Sequence, residues 1–262
     1  MKKSPLGALS TEDRRGIGIF IAGAIALLGL IAFFAVRLQA PENDYDRMSL
    51  CNESLPRYSH NIFLIDVSDT LSEYQRRFLH SRISSLLEVS KENDRFTIFV
   101  LDEKFHGLSE PVVDLCKPKS ADDADALTSN RLFVEKLYRD RFQKPFEQAI
   151  ASVVAAGEQE VSPIYEALSD VASLNRFDLH AQEVNLTIVS DMIQNSRSAS
   201  VFSSGSAAIE RLPAIDLRRA RTKVFWLDRE KYKRYQTPEL ANSWEDYLAS
   251  VSRFEQIERV RH

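Results

Sequence analysis

The chain has 262 residues, of which 44% are hydrophobic and 27% are charged, and this is the ordinary composition of a globular protein. Its formal net charge of −4 argues against a protein that binds nucleic acid, because such binding needs a basic surface. The sequence contains neither G-x-x-x-x-G-K-[ST] nor G-x-G-x-x-G, so it offers no glycine-rich loop for a nucleotide.

The first long uncharged stretch of the chain predicts a membrane anchor. Ile17–Val36 contains no charged residue, and twenty helical residues span about 30 Å, the thickness of the hydrocarbon core of a bilayer. A cleaved signal peptide is the alternative, but its apolar region is usually shorter, about 7–15 residues. We therefore predict a cytoplasmic tail over residues 1–15 and a transmembrane helix over residues 16–37.

The basic residues beside this span predict its orientation. Four of them precede the span and two follow it, and the side with more Lys and Arg usually stays in the cytoplasm. We expect a single-pass protein of a bacterial inner membrane, with a cytoplasmic N-terminus and the rest of the chain in the periplasm. The basic residues before the span are Lys2, Lys3, Arg14 and Arg15, and those after it are Arg37 and Arg47.

Residues 38–59 are predicted to be a linker, since they contain Pro41 and Pro56, many polar residues and no clear period. The chain has two cysteines, Cys51 and Cys116, and a location outside the cytoplasm permits a disulfide between them. Such a bond would stabilise the fold by about 4 kcal/mol in the chain-entropy model. The sequence leaves both states open, a disulfide or two free thiols.

Residues 60–262 alternate between short apolar runs rich in β-branched residues and amphipathic segments of helical period. This alternation predicts an α/β domain with a Rossmann-like, doubly wound, mainly parallel sheet and helices on both faces. The predicted strands are Asn61–Asp66, Arg95–Leu101, Pro111–Leu115, Val184–Ser190 and Thr222–Leu227. The predicted helices are Leu71–Ser90, Arg131–Ala156 with a kink or break at Pro145, one that begins at Pro163 with Ser162 as its N-cap, and Pro238–Phe254.

Two clusters of like charge lie in this domain. The acidic cluster lacks the spacing, the Gly and the Glu of an EF-hand, so a solvated loop is a better interpretation than a calcium site. The basic cluster could meet an acidic partner, although a solvated surface is the commoner meaning of such a cluster. The acidic cluster is Asp122, Asp123 and Asp125, and the basic cluster is Arg211, Arg218, Arg219, Arg221 and Lys223.

Oxygen-bearing side chains follow two of the predicted strands. Asp66, Ser68 and Thr70 alternate directly after the first strand, and Asp191 follows a later one. Ser162 is expected to start a helix, so that its hydroxyl can face the same crevice. Open α/β sheets bind their ligands at the carboxyl ends of parallel strands, and a hard divalent cation prefers carboxylate and hydroxyl oxygens. The pattern therefore predicts a metal site at this edge of the sheet.

These residues resemble the metal-ion-dependent adhesion site of von Willebrand factor A domains. The family pattern is D-x-S-x-S after the first strand, a Thr in a later loop, and an Asp after the fourth strand that is often followed by Gly. Here Thr70 replaces the last Ser, Ser162 stands for the Thr, and Met192 replaces the Gly. The resemblance covers about residues 60–255. It implies a protein-recognition domain that holds Mg²⁺, or Ca²⁺ or Mn²⁺, and a partner's acidic residue completes the coordination of the ion. The implied metal ligands are Asp66, Ser68, Thr70, Ser162 and Asp191.

Two other interpretations remain open. Ser68 and Thr70 could cap the following helix and Asp191 a turn, which would leave a scaffold subunit of a membrane complex without a metal. Asp66 and Thr70 also fit the D-x-D-x-T signature of haloacid-dehalogenase-like phosphatases, with Asp66 as nucleophile, but Ser68 stands where the general acid belongs. No acid–base pair is evident, so we predict a binding module with a protein partner rather than an enzyme.

Overall fold

The computed structural model describes residues 20–33, 45–101, 110–120, 131–154, 160–172 and 176–261. It consists of two units, Met1–Asp44 and Tyr45–His262. In the first unit, helix α1 covers residues 20–33. In the second, the described strands are β1 (Arg57–Asp66), β2 (Arg95–Leu101), β3 (Val113–Cys116), β4 (Ala181–Ser190), β5 (Leu217–Leu227) and β6 (Ser252–Val260). The described helices of this unit are α2 (Glu73–Val89), α3 (Arg131–Leu137), α4 (Lys144–Val154), α5 (Ile164–Val171), α6 (Val201–Ser204), α7 (Ala207–Glu210) and α8 (Pro238–Val251).

These strands form one sheet in the order β3-β2-β1-β4-β5-β6, and every neighbouring pair is parallel except β2 and β3. The predicted α/β class with a mainly parallel sheet is confirmed. The chain moves outward from β1 through β2 to β3 in one direction, and from β4 through β5 to β6 in the other. Open α/β sheets bind ligands at such a reversal, which here lies at the carboxyl ends of β1 and β4.

Helices cover both faces of the sheet. Ile62 and Leu64 of β1 belong to the core on one face, together with α5 and α8. Phe63 and Ile65 belong to the core on the other face, together with α2 and α4. Because successive side chains of a strand point to opposite faces, a strand covered on both sides is apolar at nearly every position. The unbroken apolar run at the start of the domain is therefore the mark of a central strand.

The C-terminal end of the domain differs from the sequence-based expectation. The predicted final helix ends at Val251, not at Phe254, and Ser252–Val260 forms β6. β6 pairs in parallel with β5 at the edge of the sheet. The apolar residues of β6 continue from Phe254 to Ile257 and Val260 at a spacing of three, which imitates a helical face. The prediction of a longer helix was wrong for this reason.

Pro145 affects the helical region 131–154 as expected from a residue without an amide proton. The turn before it widens into a π-helical segment, Tyr138–Gln143, between α3 and α4. The backbone N–H of Lys144 donates to the carbonyl of Arg139, five residues earlier. Since proline cannot donate the next hydrogen bond, the wider turn lies directly before it. The last two residues of the predicted helix, 155 and 156, lie outside the described residues.

Helix α1 exposes large apolar side chains, among them Phe20, Ile25 and Leu28. Among the described residues, no helix has both the length and the apolar character needed to cross a membrane. Of the predicted span Ile17–Val36, residues 17–19 and 34–36 lie outside the described residues. The predicted tail and the acidic cluster at 122–125 also lie outside them. The membrane anchor stays a prediction.

The second unit begins at Tyr45, within the predicted linker 38–59. A disulfide joins Cys51 to Cys116, the last residue of β3. Asn52 and Asn93 also exchange hydrogen bonds, since the Asn52 amide donates to Asn93 Oδ1 at 2.9 Å and Asn93 Nδ2 donates to the Asn52 carbonyl at 2.8 Å. The segment before β1 is thus attached near the start of β2, at the amino end of the parallel strands.

Candidate functional site

The carboxyl ends of β1 and β4 bring two acidic residues to one edge of the sheet. In the parallel register Ile65 lies beside Val189, so that Asp66 ends its strand beside Ser190. Asp191 is the next residue of the chain. Both residues therefore lie at the reversal of strand order, where a ligand site is expected in this kind of sheet.

Asp66 is buried, with 2% of its surface exposed, and both of its carboxylate oxygens accept hydrogen bonds. Its Oδ2 accepts hydrogen bonds from the hydroxyls of Ser162 and Ser190, each at 2.8 Å. Its Oδ1 accepts from the backbone N–H of Ser68 at 2.9 Å. These donors fix the orientation of the carboxylate.

Asp191 is also buried, and its Oδ1 accepts the backbone N–H of Ile193 at 2.8 Å. Burial raises the pKa of Asp191 to about 8, and the negative charge of Asp66 adds to this effect. Arg229 acts in the opposite direction, while Asp69 raises the pKa further. A buried carboxyl beside a second carboxylate is destabilised in its charged form, and a nearby cation would reverse that effect.

Ser162 lies in the site but does not cap a helix, so the predicted N-cap is wrong. Helix α5 begins at Ile164 with Pro163 as its N-cap, and no side chain makes a capping hydrogen bond there. The backbone of Ser162 instead pairs with that of Asn195, through two N–H···O=C bonds of 2.9 Å. This bridge holds the residue extended, and its hydroxyl is used to donate to Asp66.

Ser68 and Thr70 lie in the loop after β1, the first partly buried and the second exposed. Neither caps α2, because Ser72 is the N-cap and forms a capping box with Gln75. The alternative in which Ser68 and Thr70 serve as caps is therefore contradicted. In the part of the chain that the structure describes, neither of their hydroxyls makes a hydrogen bond to Asp66 or Asp191. Direct contacts thus unite Asp66 with Ser162 and with the Ser68 backbone, and the charge of Asp66 acts on Asp191.

Two polar residues of the site, Arg229 and Gln236, were missed by sequence reasoning, and the contact of Ser190 with Asp66 was not predicted. Ser190 donates to Asp66. Arg229 is buried and donates to the carbonyls of Thr70 and, at 3.2 Å, of Asp69, so it supports the loop after β1. Gln236 Nε2 donates to the Asp191 carbonyl at 3.0 Å. Ser190 and Arg229 both lie at or just after the end of a parallel strand, and that position was the available signal.

Met192 adopts the left-handed backbone conformation, with φ of 61°, at the position where the resembling family often has Gly. This conformation costs a residue with a side chain roughly 1–2 kcal/mol. The surrounding structure holds it: Met192 N–H donates to Ser190 Oγ at 2.9 Å, and its carbonyl accepts from Trp244 Nε1 at 2.8 Å. The Met192 side chain is fully buried, and its packing offsets the strain. The replacement of Gly therefore preserves the local turn.

The donor set suits a hard divalent cation, which prefers carboxylate and hydroxyl oxygens. Asp66 and Asp191 supply two buried carboxylates, and Ser162 lies in contact with the first of them. Within the described residues, no group of three or more His, Cys, Asp or Glu side chains is placed to hold a metal ion. A cation here would therefore rely on serine and threonine hydroxyls for the rest of its protein ligands.

No protein-family model and no curated protein matches this chain. Among solved structures, it is similar to a von Willebrand factor type A protein from Catenulispora acidiphila, with 10% identity, 77% of this chain and 39% of that chain covered, and a TM-score of 0.39. It is similar to BatB from Bacteroides thetaiotaomicron, with 13% identity, coverage of 78% and 91%, and a TM-score of 0.35. It is also similar to an aerotolerance-related membrane protein from Bacteroides fragilis, with 12% identity, 64% of this chain and 66% of that chain covered, and a TM-score of 0.29. The chain spans about two fifths of the length of the Catenulispora protein.

Proposed function

We propose that this chain is a membrane-anchored protein-binding module of the von Willebrand factor A type, with a divalent cation at the carboxyl end of its sheet. Mg²⁺ is the expected ion, with Ca²⁺ and Mn²⁺ as substitutes. When bound, the ion supplies a positive charge and an open coordination position for a carboxylate of the partner protein. The proposed ligands are Asp66, Ser68, Thr70, Ser162 and Asp191.

The observation that carries the proposal is the pair of buried carboxylates, Asp66 and Asp191, at the ends of neighbouring strands. In the described part of the chain, neither forms a salt bridge with Arg or Lys. Arg229 lowers the pKa of Asp191 through its charge. It directs its hydrogen bonds, however, to the backbone carbonyls of Asp69 and Thr70 and to the side chain of Gln75. Buried charges are ordinarily paired or coordinate metals, so this pair calls for a cation.

The disulfide supports the proposed location of the domain in the bacterial periplasm. Disulfides persist in oxidising compartments and are rare in the cytosol. Cys51 and Cys116 are bonded, and the segment that contains Cys51 enters the domain at the amino end of the strands. Alkaline phosphatase fused after residue 262 should be active if the domain lies in the periplasm, and green fluorescent protein at the same point should be dark.

The binding function is tested by crosslinking and pull-down of the full-length chain from membranes, with Mg²⁺ and with EDTA. We expect a partner that crosslinks with Mg²⁺ and is lost with EDTA or in Asp66→Asn. A control variant, Glu183→Gln, changes an exposed carboxylate far from the site and should keep the partner. Recovery of the same partner with Mg²⁺, with EDTA, from Asp66→Asn and from Glu183→Gln would contradict the role of the metal.

Two further outcomes separate this function from the alternatives. A scaffold without a metal role should retain its complex in the double variant Asp66→Ala/Asp191→Ala. A phosphatase should hydrolyse p-nitrophenyl phosphate in the presence of Mg²⁺ and lose that activity in Asp66→Asn. The proposed binding module should lose its complex in the first experiment and show no turnover in the second.

A further inference from the structure

We propose that a basic–aromatic surface beside the candidate metal site binds acidic side chains in the partner segment that the module recognises. This surface consists of Lys233 and Arg234 with the rings of Phe202, Tyr232 and Tyr235. The inference rests on the proposed function, because it names the chemistry of the partner around the carboxylate that meets the ion. A partner of this kind is a peptide segment with several Asp or Glu residues.

The loop that carries this surface is attached to the site. Gln236 follows Tyr235 directly, and its Nε2 donates to the carbonyl of Asp191 at 3.0 Å. Its Oε1 accepts the backbone N–H of Arg229 at 2.7 Å, so both ends of the loop 229–236 are held together. Consecutive Cα atoms are 3.8 Å apart, which places the Lys233 Cα within about 11 Å of that of Gln236. A peptide bound at the metal can therefore reach the loop with neighbouring residues.

Phe202 in α6 is the one member of the surface outside the loop 229–236, and it is 38% exposed. Its ring lies 5.5 Å from that of Tyr232 and 4.9 Å from that of Tyr235, measured between centroids. The first amide of α6, that of Val201, donates to the carbonyl of Gln194 at 2.9 Å, three residues after Asp191. The loop 229–236 and helix α6 are thus both hydrogen-bonded to the segment that follows β4, which also carries Asp191.

The charge of this loop favours an acidic ligand. Residues 230–234 contain three cations and one carboxylate, and both Lys233 and Arg234 are exposed. The Arg234 guanidinium lies 4.6 Å from the centroid of the Tyr235 ring and donates to the Tyr235 hydroxyl at 2.8 Å. Stacking of this kind orders an arginine before it binds, so that less side-chain freedom is lost when it meets a carboxylate.

The basic cluster at 211–223 is the natural competitor for an acidic ligand, and its geometry is less suitable. Arg221 already pairs with Glu183 at 3.1 Å. It lies beside Asn185 of β4, five residues before the end of that strand, which is about 16 Å along the sheet. Arg219 and Arg221 are exposed, and they offer the same two charges in a different place. They therefore provide a matched control.

The test measures fluorescence anisotropy of a fluorescein-labelled hexaglutamate peptide with the full-length chain in an uncharged detergent and Mg²⁺. Lys233→Glu/Arg234→Glu should weaken binding about tenfold or more and flatten its salt dependence. Arg219→Glu/Arg221→Glu, with the same change of charge, should stay within about twofold of the unmodified chain. The affinity of Lys233→Gln/Arg234→Gln should lie between those of the unmodified chain and of the charge-reversed loop variant. This neutral variant guards against a folding defect of the charge-reversed one.

The proposal is overturned if the unmodified chain does not bind the peptide, if both charge reversals weaken binding equally, or if the loop reversal has no effect. Displacement of the peptide by an oligonucleotide of equal charge would assign the surface to polyanions in general and would also overturn it. A second titration in EDTA distinguishes failure of this surface from failure of the metal site. If Lys233→Glu/Arg234→Glu weakens peptide binding and EDTA does not change it, the surface is supported and the metal function is excluded. If EDTA weakens peptide binding and the charge reversal does not, the metal function is supported and the surface is excluded.

Discussion

The two ends of the sheet carry polar clusters of very different electrostatic character. At the amino end, Arg57 and Arg95 both contact Asp178, at 2.5 and 3.3 Å, and Arg95 forms a two-pronged pair with Asp114 at 2.6 and 2.8 Å. At the carboxyl end, Asp66 and Asp191 lie together, and their hydrogen bonds come from hydroxyls and backbone amides. The amino-end cluster is balanced by its own charges, whereas the carboxyl-end cluster is acidic.

His60 is the neutral residue of the amino-end cluster, and both of its ring nitrogens have hydrogen-bond partners. Burial lowers the pKa of His60 to about 3, and the charge of Arg95 adds to the effect. His60 Nδ1 accepts the Asp178 amide at 3.1 Å, which leaves Nε2 to donate to Thr97 Oγ1 at 2.8 Å. Thr97 Oγ1 in turn donates to Asp114 Oδ1 at 2.9 Å. Each member of this network has a hydrogen-bond partner, and a satisfied network of this kind stabilises the fold.

The largest expected effect concerns the amino-end cluster. Among the described residues, Asp178→Ala leaves the buried Arg57 with only the exposed Glu53 as an acidic partner, and loss of one partner of a buried pair typically lowers the free energy of unfolding by about 3–5 kcal/mol. Urea denaturation measures this change. The control, Glu183→Ala, removes an exposed partner of Arg221 and should cost less than about 1 kcal/mol. Equal stability of the two variants would show that the amino-end cluster is not structural.

At the carboxyl end, removal of an acid should raise the free energy of unfolding of the metal-free chain. The pKa of Asp191 is raised from 3.8 to about 8, so the folded metal-free chain holds a proton that the unfolded chain has lost. The Asp191 carboxyl should therefore lower stability in EDTA as pH rises from about 4 to about 8, whereas His60, whose pKa is lowered from 6.5, acts in the opposite direction below about pH 6.5. Asp191→Asn should remove the fall between about pH 6.5 and 8 and be more stable than the unmodified chain at pH 8. Thermal unfolding over this upper range decides, and a fall of equal size in the variant would refute the assignment.

Ser162→Ala should have a smaller effect that separates stability from metal binding. Loss of the hydroxyl that donates to Asp66 should cost about 1 kcal/mol of stability. If the hydroxyl also serves the ion, metal affinity should fall by about 10–100-fold. Ser200→Ala is a matched control, since its hydroxyl donates to Asn195 Oδ1 at 2.9 Å in the neighbouring loop. That variant should lose similar stability and keep its metal affinity, and equal affinities of both variants would exclude Ser162 as a ligand.

The strands and the strand-end acids could be predicted because they depend on local pattern. The apolar run before Asp66 and the acid after Ser190 are readable without any contact between them, and alternation of strands and helices is enough to place both at one edge. The contacts of Arg229 could not be read in this way, since it meets Thr70 across 159 residues of chain. The role of Ser162 depended on its bridge to Asn195, which local capping preference does not reveal.

Isothermal titration calorimetry of Mg²⁺ into the full-length chain shows whether Asp66 and Asp191 hold a divalent cation. We expect one ion per chain in the unmodified protein and in Glu183→Gln, and no binding in Asp66→Asn. Absence of binding to the unmodified chain, or equal binding by Asp66→Asn, would show that these two carboxylates are not metal ligands.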